Sequence, residues 1–294
     1  MVRDIRASLP KAQVSLCEPT SASDASKSTQ AFEGFGSTLH AQSGASPLAQ
    51  YYLFTRHIFD GVNLGTAWVL GTVQLIIAYP PTSVENKTAT WGPASDAENP
   101  SEWKLVVTKE TDGSYSYAFE GRRKGSNDAF RPTLQGTAKG KTGQFVLDYT
   151  AANELDPARL GADTESGQTA VDYDLSQYPT TITASARPDS DAYFDVTVTR
   201  QQGGGGTVDI TAHDDLDATK NTALEDVTMK SRWVASGEGR ADVTVSGGDM
   251  PTPPGTVTVT ECWGATFERS YYTDSVGLAA TEGDAAQCPF SSAP

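Results

Sequence analysis

A long apolar stretch between Ser46 and Pro80 constrains the fold more than any other part of this chain. Its second half, from Leu64 to Tyr79, contains no charged residue. A helix that is apolar on every side is expected to be buried on every side. This half is shorter than the roughly 20 residues that a membrane-spanning helix needs, so the sequence predicts no transmembrane segment. We therefore expect the stretch to lie inside the fold.

The stretch is predicted to form a helical pair over residues 46–79. Ser46 is suited to cap the first helix, and Pro47 to occupy its first position. Apolar residues then recur at the helical period on one face only, which indicates an amphipathic helix. Gly61 and Asn63 predict a break before the second helix, which we expect to be fully buried.

Small residues form a narrow stripe along the second helix, between two sides that carry large apolar side chains. The stripe consists of Ala67, Gly71, Gln74 and Ala78. Small side chains allow a close approach of another backbone or of a ligand. The neighbour at this stripe is either the preceding helix or a ligand, and for a ligand the sequence predicts a binding site at Trp68, Gly71, Gln74 and Leu75.

From Glu102 onward the apolar period changes to two, which is typical of strands. Alternating runs and turn signals predict about nine to eleven strands, each with one apolar and one polar face. The runs are Trp103/Leu105/Val107, Tyr115/Tyr117/Phe119, Phe145/Leu147/Tyr149, Val171/Tyr173/Leu175, Phe194/Val196/Val198, Val208/Ile210, Val227/Met229/Trp233, Val243/Val245 and Val257/Val259. No strand–helix–strand alternation is present, which excludes a parallel sheet.

The predicted fold class is mainly β with an N-terminal helical pair. We expect a curled antiparallel sheet, an open or half barrel, wrapped around the buried helix. A two-sheet sandwich is the alternative, but it leaves the apolar helix without a place. Residues 1–45 are rich in Ser, Ala, Thr and Gly and are predicted to be a flexible segment. Residues 46–294 are predicted to form a single β-rich domain.

The chain is acidic, with a formal net charge of −15 and a pI near 4.5. Nucleic acid requires a basic footprint, so the sequence predicts no nucleic-acid partner. Electrostatic docking on anionic lipid is excluded for the same reason. No phosphate-binding loop and no Gly-x-Ser-x-Gly elbow is present, and no cofactor is predicted.

The densest carboxylate cluster includes Asp214, Asp215 and Asp217. Hard oxygens close together can hold Ca²⁺, which makes these residues metal candidates. However, the glycine and glutamate spacing of an EF-hand is absent. A solvated acidic loop is the alternative that we favour.

Cys262 and Cys288 lie in a loop-rich C-terminal segment and are predicted to close a disulfide loop over residues 262–288. Such a loop contributes on the order of 3 kcal/mol in the chain-entropy picture, and it forms in an oxidising compartment. Two buried free thiols are the alternative. Residues 1–16 lack the apolar core of an export signal, so an extracytoplasmic protein would have lost its signal from this version of the chain. Cys17 follows Leu16 rather than a small residue, which does not fit a lipid-attachment site.

Three segments resemble a set of bacterial envelope proteins that have no assigned activity and are usually predicted as secreted or lipid-anchored. The segments are TWGPASDAENPSEWKLVVT, KSRWVASGEGRADVTVSGGD and ECWGATFERSYYTDSVGLAATEGDAAQC. The last, with its CW…C motif at Cys262, Trp263 and Cys288, is the most specific. The resemblance implies an extracytoplasmic location (periplasm, outer-membrane surface or secreted), supports the disulfide and supplies no catalytic residue. The expected architecture is also similar to envelope lipoprotein and lipid carriers, which hold acyl chains between sheet and helix.

Together these features predict a non-catalytic envelope protein that carries a hydrophobic ligand between the sheet and the helices. The predicted partner is a lipid or lipoprotein acyl chain. A structural or interaction module of the envelope with a solid core is the first alternative. A hydrolase whose triad is not recognisable from sequence, centred on His57 or His213, is the second.

Overall fold

The computed structural model describes residues 48–158, 166–216, 223–250 and 253–291. It is mainly β: 15 antiparallel strands form one unclosed sheet, and a long helix precedes them. The predicted fold class, with an antiparallel sheet and an N-terminal helical segment, is confirmed. The predicted flexible segment at 1–45 lies outside the described residues.

The N-terminal helical segment is a single helix, α1, that spans Gln50–Ile77. The predicted break at Gly61 and Asn63 is wrong. Asn63 is buried, and its side-chain amide donates a hydrogen bond to the Phe59 carbonyl one turn earlier. A glycine in a helix costs only about 1 kcal/mol, which the burial of large side chains on the same helix exceeds.

The second half of α1 is buried on one side only, so the prediction of a fully buried helix is wrong. Val69, Leu70, Val73 and Ile77 are each 1 % exposed. The opposite side, which carries Trp68 and Leu75, is exposed. The rule that an all-apolar helix is buried all round assumes that the fold supplies neighbours on every side. The second half of α1 is covered on one side only.

The strands follow one another in the sheet in the same order as in the sequence. They are β1 Ser83–Glu85, β2 Thr88–Ala94, β3 Ser101–Lys109, β4 Tyr115–Arg123, β5 Arg131–Lys139, β6 Thr142–Asp148, β7 Gln168–Asp174, β8 Thr180–Arg187, β9 Tyr193–Arg200, β10 Gly206–Asp214, β11 Glu225–Trp233, β12 Gly239–Gly247, β13 Thr256–Trp263, β14 Arg269–Asp274 and β15 Glu282–Gly283. A short helix, α2, spans Tyr149–Leu155, and a 3₁₀ turn spans Ala285–Gln287. None of the helices in the described ranges combines the length and the apolar character that a membrane span requires.

More strands form than the nine to eleven that the sequence predicts, because several carry too few apolar residues to be recognised. β5 is an example, since it contains Pro132 and Gly136. Pro132 lies opposite Glu120, where the register of the β4–β5 pair shifts. A proline is tolerated at such an irregularity because no ladder hydrogen bond is lost there.

The chain divides into two compact units, and both α1 and the sheet contribute to each of them. The described residues of the first unit fall within Thr66–Gln177 and Ala184–Ser190. Those of the second fall within Leu16–Gly65, Tyr178–Thr183 and Asp191–Pro294. The single domain predicted for residues 46–294 stays a prediction.

In the second unit, alternate side chains along each strand form a continuous apolar row. Ile210, Met229, Val243 and Val259 pair across four successive strands, and all four are buried. Their neighbours along the strands are polar and point to the other face, as expected for a sheet with one buried face. The strand period in the sequence therefore predicted the side chains of this core correctly.

Candidate functional site

Three large apolar side chains, Trp68, Leu75 and Tyr79, lie exposed along one side of α1 and the turn that follows it. Their exposed fractions are 61 %, 65 % and 65 %. Residues with this spacing share one helix face. Single exposed apolar residues are ordinary, whereas a row of them indicates a binding surface. We call these three residues the apolar face of α1.

The apolar face is held in place by contacts on the other side of the helix. The buried residues Val69, Val73 and Ile77 anchor the helix to the core of the first unit. Beyond the helix end, Nε1 of Trp91 in β2 donates a hydrogen bond of 2.9 Å to the Tyr79 carbonyl. The backbone that carries the exposed side chains is therefore fixed by the fold.

The structure places the predicted ligand-binding residues on this same segment, with different exposures. Trp68 and Leu75 belong to the apolar face and are exposed, and they are not enclosed between helix and sheet as expected. Gly71 and Gln74 are half-buried. Whether these residues bind a ligand stays a prediction.

The apolar face lies in an uncharged part of an acidic chain. No Asp, Glu, Lys, Arg or His occurs between Asp60 and Glu85. The chain as a whole contains 37 acidic residues.

Two of the three predicted metal candidates lie in the described part of the chain, so the predicted set stays a prediction. Asp214 and Asp215 lie at the end of β10, and Asp217 lies outside the described residues. Within the described ranges, no three His, Cys, Asp or Glu side chains come together as a metal ion requires. Burial raises the pKa of the Asp214 carboxyl above its ordinary value.

In this acidic region, the carboxylate of Glu225 in β11 is bound by backbone N–H groups. Its carboxylate is buried and accepts hydrogen bonds from the backbone N–H of Leu216 at 2.9 Å and of Asp249 at 3.0 Å. The side chain thus connects two loops of the second unit. Hydrogen bonds from backbone N–H groups stabilise a buried carboxylate without a metal ion.

The two histidines of the described chain have surroundings that do not resemble a hydrolase triad. His213 Nδ1 lies 2.8 Å from Asp226 Oδ1, and its ring stacks on Tyr193 with the centroids 5.9 Å apart. His57 is exposed on α1. The contacts of His213 are therefore a carboxylate and a phenol ring, with no serine hydroxyl among them.

The predicted disulfide is present between Cys262 and Cys288, whose Cα atoms are 5.4 Å apart. The bond ties the segment after β15 to β13. Beyond Cys288, the carbonyls of Phe290 and Ser291 accept hydrogen bonds from Arg240 in β12, and the Arg232 guanidinium lies 4.0 Å from the Phe290 ring centroid. The C-terminal segment is therefore fastened across β11, β12 and β13.

The sequence analysis missed a buried ionisable group, Glu261 in β13. Its side chain is fully buried, and Oε2 accepts a hydrogen bond of 3.5 Å from the backbone N–H of Tyr51 in the first turn of α1. Arg269 Nε lies 3.8 Å from the same oxygen. Burial raises the pKa of Glu261 to about 7, against the opposing effect of Arg269. The sequence did carry a signal for this buried group, because Glu261 follows Val257 and Val259 at the strand period and so falls on the inward face of β13.

A second pair of residues was also missed, Tyr117 in β4 and Tyr173 in β7. The sequence analysis treated both as ordinary core positions of strands. Both are buried, and neither hydroxyl hydrogen-bonds to a protein atom in the described part of the chain. Periodicity predicts that such a ring points inward, but it does not reveal whether its hydroxyl finds a partner.

Comparison with known proteins adds no relative: no protein-family model, no curated protein and no solved structure matches this chain. The resemblance to bacterial envelope proteins therefore stays a prediction.

Proposed function

We propose that this protein is a non-catalytic binding protein of the cell envelope that holds a hydrophobic ligand, such as an acyl chain, on the apolar face of α1. The observation that carries the proposal is the exposure of Trp68, Leu75 and Tyr79 on one side of a backbone that the fold holds fixed. The proposed ligand lies on the exposed side of α1, whereas the sequence predicted a ligand between the sheet and the helices. The reason is that these three side chains are exposed and not buried in the core.

The location in the envelope is supported by the disulfide and by the three resembling segments. A disulfide between Cys262 and Cys288 persists in an oxidising compartment, such as the periplasm or the cell exterior. The same reasoning disfavours the cytosol, where thiols are kept reduced.

Substitution of the apolar face tests the proposal. In titrations with a fluorescent acyl probe, Trp68→Ala and Leu75→Ala should each weaken binding about tenfold or more, because each removes a large apolar contact. Leu278→Ala is the matched control, since Leu278 is also an exposed leucine (48 %) but lies in the second unit. It should leave the affinity unchanged.

Extraction of the purified protein supplies the second measurement. Native mass spectrometry of protein purified from a bacterial envelope should show a copurified lipid that is lost in the Trp68→Ala variant. Equal affinities of the wild type and both face variants would overturn the proposal, as would a wild type that binds no acyl probe.

A further inference from the structure

Two buried hydroxyl groups in the first unit are hydrogen-bond donors that the described protein does not use. Tyr117 is 2 % exposed and Tyr173 is 4 % exposed, and both hydroxyls lack a protein partner among the described residues. Buried polar side chains are paired in the large majority of cases. Among the buried polar atoms without a partner in the described residues, these two are the phenol hydroxyls, and both lie within the four strands β4–β7.

Each hydroxyl lies over a glycine of the neighbouring strand. A Cβ atom at Gly136 in β5 would overlap the Tyr117 hydroxyl, and one at Gly143 in β6 would overlap the Tyr173 hydroxyl. Each ring therefore leans over the neighbouring strand, Tyr117 from β4 and Tyr173 from β7. Gly143 pairs with Ala138, which is two positions from Gly136. The two glycines are diagonal neighbours on adjacent strands, about 7–8 Å apart.

The surroundings of the hydroxyls are apolar and uncharged. Val107 pairs with Tyr117, and Phe145 pairs with both Gly136 and Val171; all three of these apolar residues are buried. Burial raises the pKa of both phenols, and Tyr173 raises that of Tyr117 further. No lysine or arginine among the described residues acts on either pKa. Both groups therefore stay protonated and are available as hydrogen-bond donors.

The two neutral hydroxyl donors and their apolar surroundings indicate which class of ligand would fit. Two neutral donors in an apolar setting suit an uncharged oxygen acceptor, such as a carbonyl. A carboxylate would need a cation to offset its desolvation, and none faces the site. The neighbouring apolar side chains suit the hydrocarbon on either side of the carbonyl.

We propose that Tyr117 and Tyr173 form a binding site for the carbonyl group of an uncharged acyl ester. The proposal rests on the proposed function for its ligand class, but it uses none of the residues of the apolar face of α1. It adds a preference among hydrophobic ligands, for neutral esters over free acids and over plain hydrocarbons.

The test compares three probes that each have an 18-carbon chain and differ in their end group: methyl oleate, sodium oleate and octadecane. Their affinities are measured by displacement of a fluorescent acyl probe from the full chain. The wild type should bind methyl oleate most tightly. The Tyr117→Phe/Tyr173→Phe double variant should bind methyl oleate about tenfold or more weakly and octadecane unchanged, because it loses only the donors.

Stability provides an independent readout and a check that the variant folds. The double variant should unfold at an equal or higher urea concentration than the wild type, because phenylalanine removes two unpaired buried hydroxyls. Tyr115→Phe is the matched control, since Tyr115 is a buried tyrosine of the same strand whose hydroxyl is not among the unpaired groups. It should not change the ester affinity.

Two outcomes would overturn the inference. One is an unchanged affinity of the double variant for methyl oleate. The other is a wild type that binds methyl oleate no more tightly than octadecane. If Trp68→Ala abolishes binding of all three probes while the double variant behaves like the wild type, the proposed function stands and this inference fails. If the double variant loses the ester preference while Trp68→Ala changes nothing, the reverse holds.

Discussion

At the scale of single residues, Glu261 is an ionisable group that is fully buried. Its carboxyl group lies in β13 beneath the first turn of α1, beside Arg269 and close to the buried tyrosines Tyr51 and Tyr272. One carboxyl oxygen, Oε1, has no hydrogen-bond partner among the described residues. A carboxyl group in such a place titrates near neutral pH rather than in acid.

Glu261 should therefore make stability depend on pH. Below about pH 4.5 the carboxyl group is protonated in the folded and in the unfolded chain, and it has no effect on the pH dependence. Between about 4.5 and 7 the unfolded chain releases this proton while the folded chain keeps it. Over this window the free energy of unfolding should fall by about 1.4 kcal/mol per pH unit, which amounts to roughly 3 kcal/mol in total. At higher pH it should level off.

Urea unfolding of the wild type and of Glu261→Gln, from about pH 5 to pH 8, measures this effect. The glutamine keeps the size and the acceptor oxygen but does not titrate, so the stability difference between the two proteins should grow in favour of the variant as the pH rises. The same pH dependence in both proteins would contradict the assignment.

At the scale of elements, α1 joins two different environments in one continuous helix. Its first half packs on the second unit, where Thr55 Oγ1 bonds to Ser231 Oγ at 2.8 Å and Phe59 meets the edge of Trp233 at 5.5 Å. Its second half, from Thr66, belongs to the first unit and carries the apolar face. The helix is continuous across Gly61 and Gly65, which lie between these two halves.

Gly65→Ala tests the continuity of α1. A Cβ atom at Gly65 meets nothing within 4 Å, and alanine is the best helix former. The variant should gain about 0.5–1 kcal/mol of stability in urea unfolding.

The same substitution at Gly136 is the matched control. There the added Cβ would overlap the Gln144 carbonyl and the Tyr117 hydroxyl, so Gly136→Ala should lose roughly 1–3 kcal/mol. A Gly65→Ala variant that is no more stable than the wild type would indicate a helix that breaks near this position.

At the scale of the whole molecule, the sheet is unclosed and ends at two short strands, β1 and β15. Short edge strands present few unpaired backbone groups, which limits pairing with other chains. The Cys262–Cys288 disulfide fastens the segment that follows β15 to β13, two strands in from this edge.

Removal of the disulfide should weaken the whole fold. Cys262→Ala/Cys288→Ala should lose about 3 kcal/mol of unfolding free energy in urea, because the unfolded chain is no longer held in a closed loop. Treatment of the wild type with a reductant should lower its unfolding midpoint in the same way. Cys17→Ala is the control, and it should match the wild type. An unchanged midpoint after loss of the disulfide would contradict this expectation.

Several features of this protein were determined by the sequence itself. The strand period identified buried positions such as Met229 and Val243, because alternation along a strand is a local property. The change of period from Glu102 onward separated the helical segment from most of the sheet. The positions of Cys262 and Cys288 in one loop-rich segment indicated the disulfide.

Only the tertiary structure decided the rest, because it depends on which side chains meet across the fold. The second half of α1 is apolar on both sides, so the sequence could not tell that Val73 would be covered and that Trp68 and Leu75 would be exposed. The helix continues through Gly61 and Asn63 because burial outweighs a weak local preference. Tyr117 and Tyr173 come together over Gly136 and Gly143 through the register of four strands, which no local pattern in the sequence encodes.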